Sequence, residues 1–521
     1  MIEPIANPAV YAASEADRCL LCNDSPCSKA CGKIDTGRVI RAYYFKNRQG
    51  AALRVAGAPD CAVCETRNCQ KVCIRKRVDR PVDIPFLIKH IRGEAMGAPD
   101  PKTEMNPTLA INFCGFRCEN PFVLGSSVIT SSYEMCAAAL RMGWAGVVIK
   151  TLTRVLCREA SPRFDVSDKC GSHFSGFKNL EQLSEHRVEE DLKWIKQLKA
   201  DFPSKLIVVS IMGRDETEWE ELSRLVTENG ADIIECNFSC PQMTYKNMGS
   251  DTGQNSKLVE TYTRACRKGT KLPILAKLTP NLSAPDGFVQ AALRGGATGI
   301  AGINTVKSLT TVDFRTTGNS GNSGKTAVSG YSGRAVKPIA LRFMRDTAAI
   351  LPPEQHTLSG IGGVESWRDA MDFIMIGCAN IQVCTAVMEY GQRIIEDLTE
   401  GLQLFLKKNN VPSLDIFVGT ALGSVVAAAD LDRESILYPV FDKTTCIRCG
   451  RCYISCRDGG HQAIELICGR MPQLIREKCV GCHLCRLVCP VGSIREGDRI
   501  SKAEAVAAKQ AALGVGAVEE L

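Results

Sequence analysis

From about Leu109 to Tyr438 the chain alternates short, unbroken apolar runs with longer amphipathic stretches. The apolar runs are PFVLGSS (121–127), GVVIKT (146–151), LIVVSIMG (206–213), DIIECNFSC (232–240), PILAKLTP (273–280), GIAGINTV (299–306), TLSGIGGV (357–364) and IQVCTAV (381–387). Between them, segments such as EQLSEHRVEEDLKWIKQLKADF and ETEWEELSRLVTENG carry apolar residues at helical spacing. Short runs without in–out alternation predict strands buried on both faces, and strands alternating with helices predict a parallel sheet. Eight of them over roughly 270 residues predict a closed (β/α)8 TIM barrel, with an open doubly wound sheet as the alternative. The long stretches 152–205 and 307–356 then read as insertions over the C-terminal face, where barrels place their active sites.

The two ends look different from this middle. Of 27 cysteines, eight fall in residues 1–105 and nine in 441–495, and an Ala-rich, helical tail closes the sequence from Ser501. Three domains are expected: 1–105, 106–438 and 439–521. The N-terminus, MIEPIANPAVYAASEADRCLL, lacks the basic start and apolar core of a secretory signal. The most apolar window, Val418 to Ala429, contains two glycines and is far short of the ~20 residues a membrane span needs. A soluble cytoplasmic protein is expected, and in a reducing compartment regularly spaced cysteine means metal or redox chemistry. The net charge of +7 has both signs interspersed, with no basic stripe carrying aromatics, so nucleic acid is not an expected partner.

The C-terminal block reads CIRCGRCYISC and CVGCHLCRLVCP. This is the C-x2-C-x2-C-x3-C spacing of two-cluster ferredoxins, in which the fourth cysteine of each run serves the other run's cluster. One 4Fe-4S cluster is therefore assigned to Cys446, Cys449, Cys452 and Cys489, and a second to Cys479, Cys482, Cys485 and Cys456. Zinc would need two C-x2-C pairs and no third cysteine in step. Arg457 stands where a proline usually follows the first run. The N-terminal block holds CLLCNDSPCSKAC and CAVCETRNCQKVC, two copies of C-x2-C-x4-C-x3-C placed 42 residues apart. Its ligands would be Cys19, Cys22, Cys27, Cys31, Cys61, Cys64, Cys69 and Cys73; a zinc ribbon remains the alternative there.

Candidate chemistry in the barrel gathers at strand ends. DIIECNFSCPQ places Asn237, Ser239 and Cys240 where a strand leaves toward the C-terminal face. A thiol with an ordinary pKa of about 8.5 is protonated near neutrality and can donate a proton; the plain alternative for Cys240 is a small buried hydrophobe. Lys150 ends GVVIKT and Lys277 sits in ILAKLTPN, positions from which a cation can neutralise a reduced flavin or a phosphate. Glycines in GYSGRA and SGIGGVES let backbone amides approach a phosphate. The remaining cysteines, Cys114, Cys136, Cys236 and Cys384 among them, read mainly as core.

Taken together, NPFVLGSS, GFKNLEQLSEH, SIMGRDETEWEEL, ADIIECNFSCPQ, LAKLTPN, INTVKS, SGYSGRAVKPIALR and CGRCYISCRDGGHQAI resemble the catalytic FMN–ferredoxin half of the dihydropyrimidine dehydrogenase family. The N-terminal quartets resemble the cluster domain this family shares with glutamate synthase small subunits. The resemblance covers nearly the whole chain. It implies an FMN-binding TIM barrel flanked by a helical two-cluster domain and a ferredoxin-like domain. It also implies four 4Fe-4S clusters and reduction of the 5,6 double bond of uracil or thymine. By the same resemblance Cys73 completes the cluster of Cys19, Cys22 and Cys27, and Cys31 joins Cys61, Cys64 and Cys69. Long single-chain relatives have a glutamine at one of these positions, where this chain is all cysteine. The general acid falls on Cys240, and pyrimidine contacts on Asn179, Glu181, Asn237, Ser239, Asn304 and Thr305. FMN contacts fall on Gly125, Ser126, Lys150, Thr151, Lys277, Asn304, Ser332, Gly333, Gly362, Gly363, Cys384 and Thr385. Amides that both donate and accept, plus a carboxylate, suit the alternating edge of uracil.

Only about 50 residues separate Cys73 from the first barrel strand, too few for the FAD and NADPH domains of the long relatives, and no G-x-G-x-x-G opens a helix after a strand. Neither FAD nor NAD(P) is therefore expected on this chain. Electrons are expected from a FAD/NAD(P) flavoprotein partner, with a ferredoxin as second choice. The resemblance implies a homodimer of this chain. The competing readings are the same architecture acting on another cyclic amide or on dihydroorotate, and an electron-transfer module without catalysis.

Overall fold

The computed structural model describes residues 7–96, 105–155, 157–166, 173–243, 245–310 and 325–513. Eight parallel strands close a barrel: β1 (Phe122–Leu124), β2 (Gly146–Leu152), β3 (Leu206–Ile211), β4 (Ile233–Asn237), β5 (Ile274–Lys277), β6 (Gly299–Gly302), β7 (Leu358–Ile361) and β8 (Asn380–Val383). Neighbours in sequence are neighbours in space, and β8 pairs with β1 at Ile381–Phe122 to shut the ring. Each of the eight apolar runs supplies one strand. The strands are buried along their whole length because helices cover the outside and side chains fill the inside. Closure decides against the open sheet.

The helix Glu216–Glu228 begins where Asp215 accepts from the Glu218 amide, and buries Trp219, Leu222 and Val226 against the barrel. The other amphipathic stretch behaves differently from its periodicity. Its helix covers only Val188–Asp201, because residues 181–187 are drawn onto the barrel mouth. There the Ser184 amide donates to the Thr151 carbonyl at 2.9 Å, and Glu181 is held by two cations. The two insertions cooperate. Phe164–Asp165, Phe177–Asn179, Val306–Ser308 and Ser329–Ser332 form a four-stranded antiparallel sheet over the C-terminal ends of the barrel strands.

The N-terminal segment is helical and has its own core, in which Val39, Ile40, Leu87, Ile88 and Ile91 meet. It is fastened to the barrel by Arg41 Nε on Asp397 at 2.7 Å, Asn47 Nδ2 on Glu400 at 2.6 Å and Trp367 Nε1 on the Lys46 carbonyl at 3.0 Å. In the C-terminal segment Ser435–Phe441 pairs with Ile494–Ser501 and Ile464–Ile467 with Met471–Leu474, around the short helices Arg451–Gly459 and Leu484–Leu487. The expected tail helix runs over Lys502–Leu513, and 514–521 lie outside the described residues. Among the described residues no helix is long and apolar enough to cross a membrane.

Candidate active site

A cavity with about 1040 Å³ of atom-free space, part of it open to solvent, lies between the barrel strand ends and the insertion sheet. Its floor is a buried polar network. Lys277 Nζ, at the end of β5, donates to Glu235 Oε1 at 3.2 Å, and Gln382 Nε2 on β8 donates to Glu235 Oε2 at 2.9 Å. Gln382 Nε2 also lies 3.2 Å from Ser359 Oγ, which donates to Asn380 Oδ1 at 2.7 Å. Glu235 is wholly buried, so its charge is tolerable only because the lysine and the amide neutralise and solvate it. Gln382 Oε1 is buried without a partner at this wall, an acceptor left for a bound group.

A second chain of contacts organises the end of β4. Asn237 Nδ2 donates to Thr151 Oγ1 at 3.0 Å, and its Oδ1 accepts from both the amide and the hydroxyl of Ser239, at 3.2 and 3.1 Å. Ser239 Oγ in turn accepts from Asn304 Nδ2 at 2.9 Å. Thr151 is further linked to Ser210 and Ser126, at 2.9 and 3.3 Å. Cys240 follows directly, its Sγ 3.4 Å from Gln242 Oε1. Burial pushes the Cys240 thiol up to about 12, while the nearby Lys150 charge pulls the other way.

The roof comes from the insertions. Lys150 Nζ is bonded to Glu181, and Arg163 reaches the same carboxylate at 3.3 Å while holding Glu185 at 2.8 Å. Gln242 Nε2 donates to the Asn179 carbonyl at 2.6 Å, tying the roof strand to the cysteine loop. Asn179, Phe164 and Tyr331 complete that side, and the buried Thr305 Oγ1 has no partner.

At the far end, glycines shape a cradle. Gly362 and Gly363, at φ of 129° and 73°, sit in backbone conformations that side chains disfavour, and a Cβ on Gly363 would lie 2.7 Å from Lys337 Cβ. Gly125 has no room either, since a Cβ would lie 2.3 Å from Cys384 Sγ. Ser332, Gly333, Thr385 and Glu365 share this end. Burial raises the Glu365 carboxyl from an ordinary 4.5 to about 7, against the Arg334 guanidinium 3.7 Å away.

Nearly all the residues picked from sequence line this one cavity. The two that do not are Ser239, which links Asn237 to Asn304 behind the wall, and Gly125, which backs onto Cys384. Lys150, read as a flavin contact, is engaged by Glu181, read as a pyrimidine contact. Sequence reasoning missed Glu235, Gln382, Gln242, Arg163 and Glu365. A signal existed for the first two, each a polar residue in an otherwise apolar strand (DIIECN, IQVC). The other three depend on loops folding back over the mouth.

The cysteine runs interleave. Cys73 shares a cavity with Cys19, Cys22 and Cys27, while Cys31 neighbours Cys61 and Cys69, and Cys64 neighbours Cys61. In the C-terminal segment Cys446, Cys449, Cys452 and Cys489 line one cavity, and Cys456, Cys479, Cys482 and Cys485 another. Quartets of thiols around a cavity fit iron–sulfur cubes in donor chemistry. The glycine cradle, the two lysines and the orphaned Gln382 acceptor fit a phosphate-bearing flavin.

Residues 108–406 match the family model "Dihydroorotate dehydrogenase", and 440–495 match "4Fe-4S dicluster domain". The chain is 52% identical over 392 residues to the NAD-dependent dihydropyrimidine dehydrogenase subunit PreA of Escherichia coli K12, covering 75% of this chain and 95% of that one. It is 33% identical to the chloroplastic dihydropyrimidine dehydrogenase (NADP(+)) of Arabidopsis thaliana, over 63% of this chain and 80% of that protein. It is also 33% identical to the catalytic subunit of dihydroorotate dehydrogenase B (NAD(+)) of Pyrococcus horikoshii, over 60% and 98%. With a closed barrel, a ferredoxin-like segment and these relatives, the chain belongs to the dihydropyrimidine dehydrogenase family and is an oxidoreductase acting on CH–CH bonds.

Proposed function

We propose that this chain reduces the 5,6 double bond of uracil or thymine at FMN. Electrons would be relayed through four 4Fe-4S clusters from a FAD/NAD(P) flavoprotein partner. The observation that carries the reading is the convergence of Cys240, Asn179, Glu181, Asn237 and Asn304 on one cavity. FMN, when bound, supplies a hydride to C6 of the ring. Lys277 and Gln382 would hold its polar edge, and the glycines at 333, 362 and 363 with Thr385 its phosphate.

The chain's own groups do the rest. Glu181 accepts from a ring N–H, and the amides of Asn179, Asn237 and Asn304 pair with the carbonyls and the remaining N–H. The links through Ser239 and Thr151 fix the orientation of Asn237 and Asn304 before substrate arrives, so little is lost in ordering them. Cys240 holds its proton at neutral pH and delivers it to C5, with Lys150 easing release by its charge.

Both lysines in the described wall are paired with carboxylates, Lys150 with Glu181 and Lys277 with Glu235. That arrangement suits a neutral ring and offers no unpaired lysine to the carboxylate of orotate, which favours uracil or thymine over the dihydroorotate reading. The chain itself would bind neither FAD nor NAD(P), would pair with a second copy, and would work in the cytoplasm.

The test is the rate at which anaerobically dithionite-reduced, desalted protein reoxidises on adding uracil or thymine, with product analysis. Rapid reoxidation forming the dihydropyrimidine supports the assignment. Flavin- and cluster-loaded protein that ignores both bases, or that prefers orotate, overturns it.

A further inference from the structure

The roof holds a carboxyl that none of the steps above uses. Glu159 lies in the insertion loop that runs beside residues 179–182. The Leu180 amide donates to the Arg163 carbonyl at 2.8 Å, the Gln182 amide donates to Glu159 Oε1 at 2.8 Å, and Gln182 Nε2 reaches the Arg158 carbonyl at 3.4 Å. Glu181 and Gln182 line the cavity, and Glu181 is held by Lys150 and Arg163. Gln242 ties the Cys240 loop to the same segment at Asn179. Glu159 and Cys240 thus attach to one short stretch of roof.

The second oxygen, Glu159 Oε2, is buried with no partner among the described residues. An ionised carboxylate would leave that oxygen unsolvated, so the site favours a carboxyl that carries a proton. Burial raises the Glu159 carboxyl above its ordinary value and the Glu181 charge adds to this, against the Gln182 amide, Lys150 and Arg163. The residue is still partly exposed, so solvent can refill it, whereas Cys240 is buried. Charges at Cys157 and Glu159 both make the Cys240 thiol hold its proton, so the two acids are within electrostatic reach of each other.

We propose that Glu159 returns a proton to Cys240 after each turnover. This rests on the reading that Cys240 protonates the pyrimidine. Having given its proton to C5, Cys240 is a thiolate. The O–H bond of Glu159 breaks, the S–H bond of Cys240 re-forms, and Glu159, left as a carboxylate, takes a proton from solvent. No electron moves in this step. The transfer runs downhill, because the Cys240 thiol at about 12 binds a proton far more tightly than a carboxyl does. Glu159 stands behind the cavity wall and acts only through the thiol.

The experiment uses the full chain loaded with FMN and clusters, with excess reduced viologen supplying electrons. In Glu159→Gln the first turnover of uracil, read as dihydropyrimidine in rapid-quench samples, is expected at the wild-type rate, because Cys240 starts with its proton. Later turnovers are expected to slow about tenfold or more, with added formate restoring part of the rate and Glu159→Asp less affected. Equal slowing of first and later turnovers, or no slowing at all, overturns the proposal. A second measurement needs no substrate. Removing the Glu159 charge should raise alkylation of Cys240 by iodoacetamide at about pH 9 by about threefold or more, read by peptide mass spectrometry, with Glu159→Asp close to wild type. An unchanged alkylation rate in Glu159→Gln overturns the proposal. If the wild-type protein leaves uracil untouched, the substrate assignment falls and the alkylation rate alone decides.

Discussion

The floor and the roof of the cavity are built on opposite principles. The floor stands on barrel strands, where Glu235, Lys277, Gln382 and Asn237 are each buried and bonded to a residue of another barrel strand. The roof hangs from loops and a small sheet, and its groups are held by side chains from other loops: Asn179 by Gln242, Glu181 by Lys150 and Arg163. Strands cannot move without breaking the barrel, whereas the roof can be re-formed by changing a few loop residues. The floor is thus suited to hold the part common to many reactions, the flavin, and the roof to choose the substrate.

The sharpest test lies where the two halves meet. Cys240→Ala is expected to lower pyrimidine reduction by about 10²–10⁴-fold while leaving bound flavin and its reduction by dithionite intact, as followed by absorbance and single-turnover kinetics. A parallel loss of flavin would mean that Cys240 belongs to the floor.

Within the floor, Lys277→Met leaves the Glu235 charge buried with only an amide for company. Urea denaturation should show a loss of about 3–5 kcal/mol and a fall in flavin content. The double variant Glu235→Gln, Lys277→Met should recover much of that stability without restoring flavin. If the single and double variants are equally stable, the network is ornamental.

On the roof, Glu181→Gln removes a charge-assisted bond worth about 1.5–3 kcal/mol and leaves the buried Lys150 ammonium facing only an amide, so KM for uracil should rise and stability should fall while flavin content is kept. Arg163→Ala should do the same more weakly, since it acts through Glu181. A loss of bound flavin in either would erase the distinction between the two halves.

The smallest effect concerns pH at the cradle. The Glu365 carboxyl is raised to about 7, so the folded state holds its proton more tightly than the unfolded chain does. The stability this gives is fully present below about pH 4.5 and is lost as pH rises through about 7. Glu365→Gln should flatten the dependence of the urea midpoint on pH across that window and strengthen flavin binding above it.

The barrel was legible because its eight strands are unbroken apolar runs, and burial on both faces leaves that mark wherever helices cover a parallel sheet. Cys240, Asn237 and Lys277 were legible for the same reason: they stand where a run ends, and strand ends point one way. Glu181 shows where periodicity fails. Its segment carries a helical pattern from 181, yet the helix starts at Val188 because pairing Glu181 with Lys150 and Arg163 outweighs two more turns.

By itself the sequence determined the number and order of strands and the spacing of sixteen cysteines in four runs, since these follow from local pattern and from what each residue type can do. Only the tertiary structure decided which oxygen each lysine meets, that Ser239 stands behind the wall, and that His173 bridges Cys19 to Glu389. Those pairings join residues far apart in the chain, 154 positions in the case of His173 and Cys19. Local preference carries no information about such contacts, because they exist only once the core has brought the loops together.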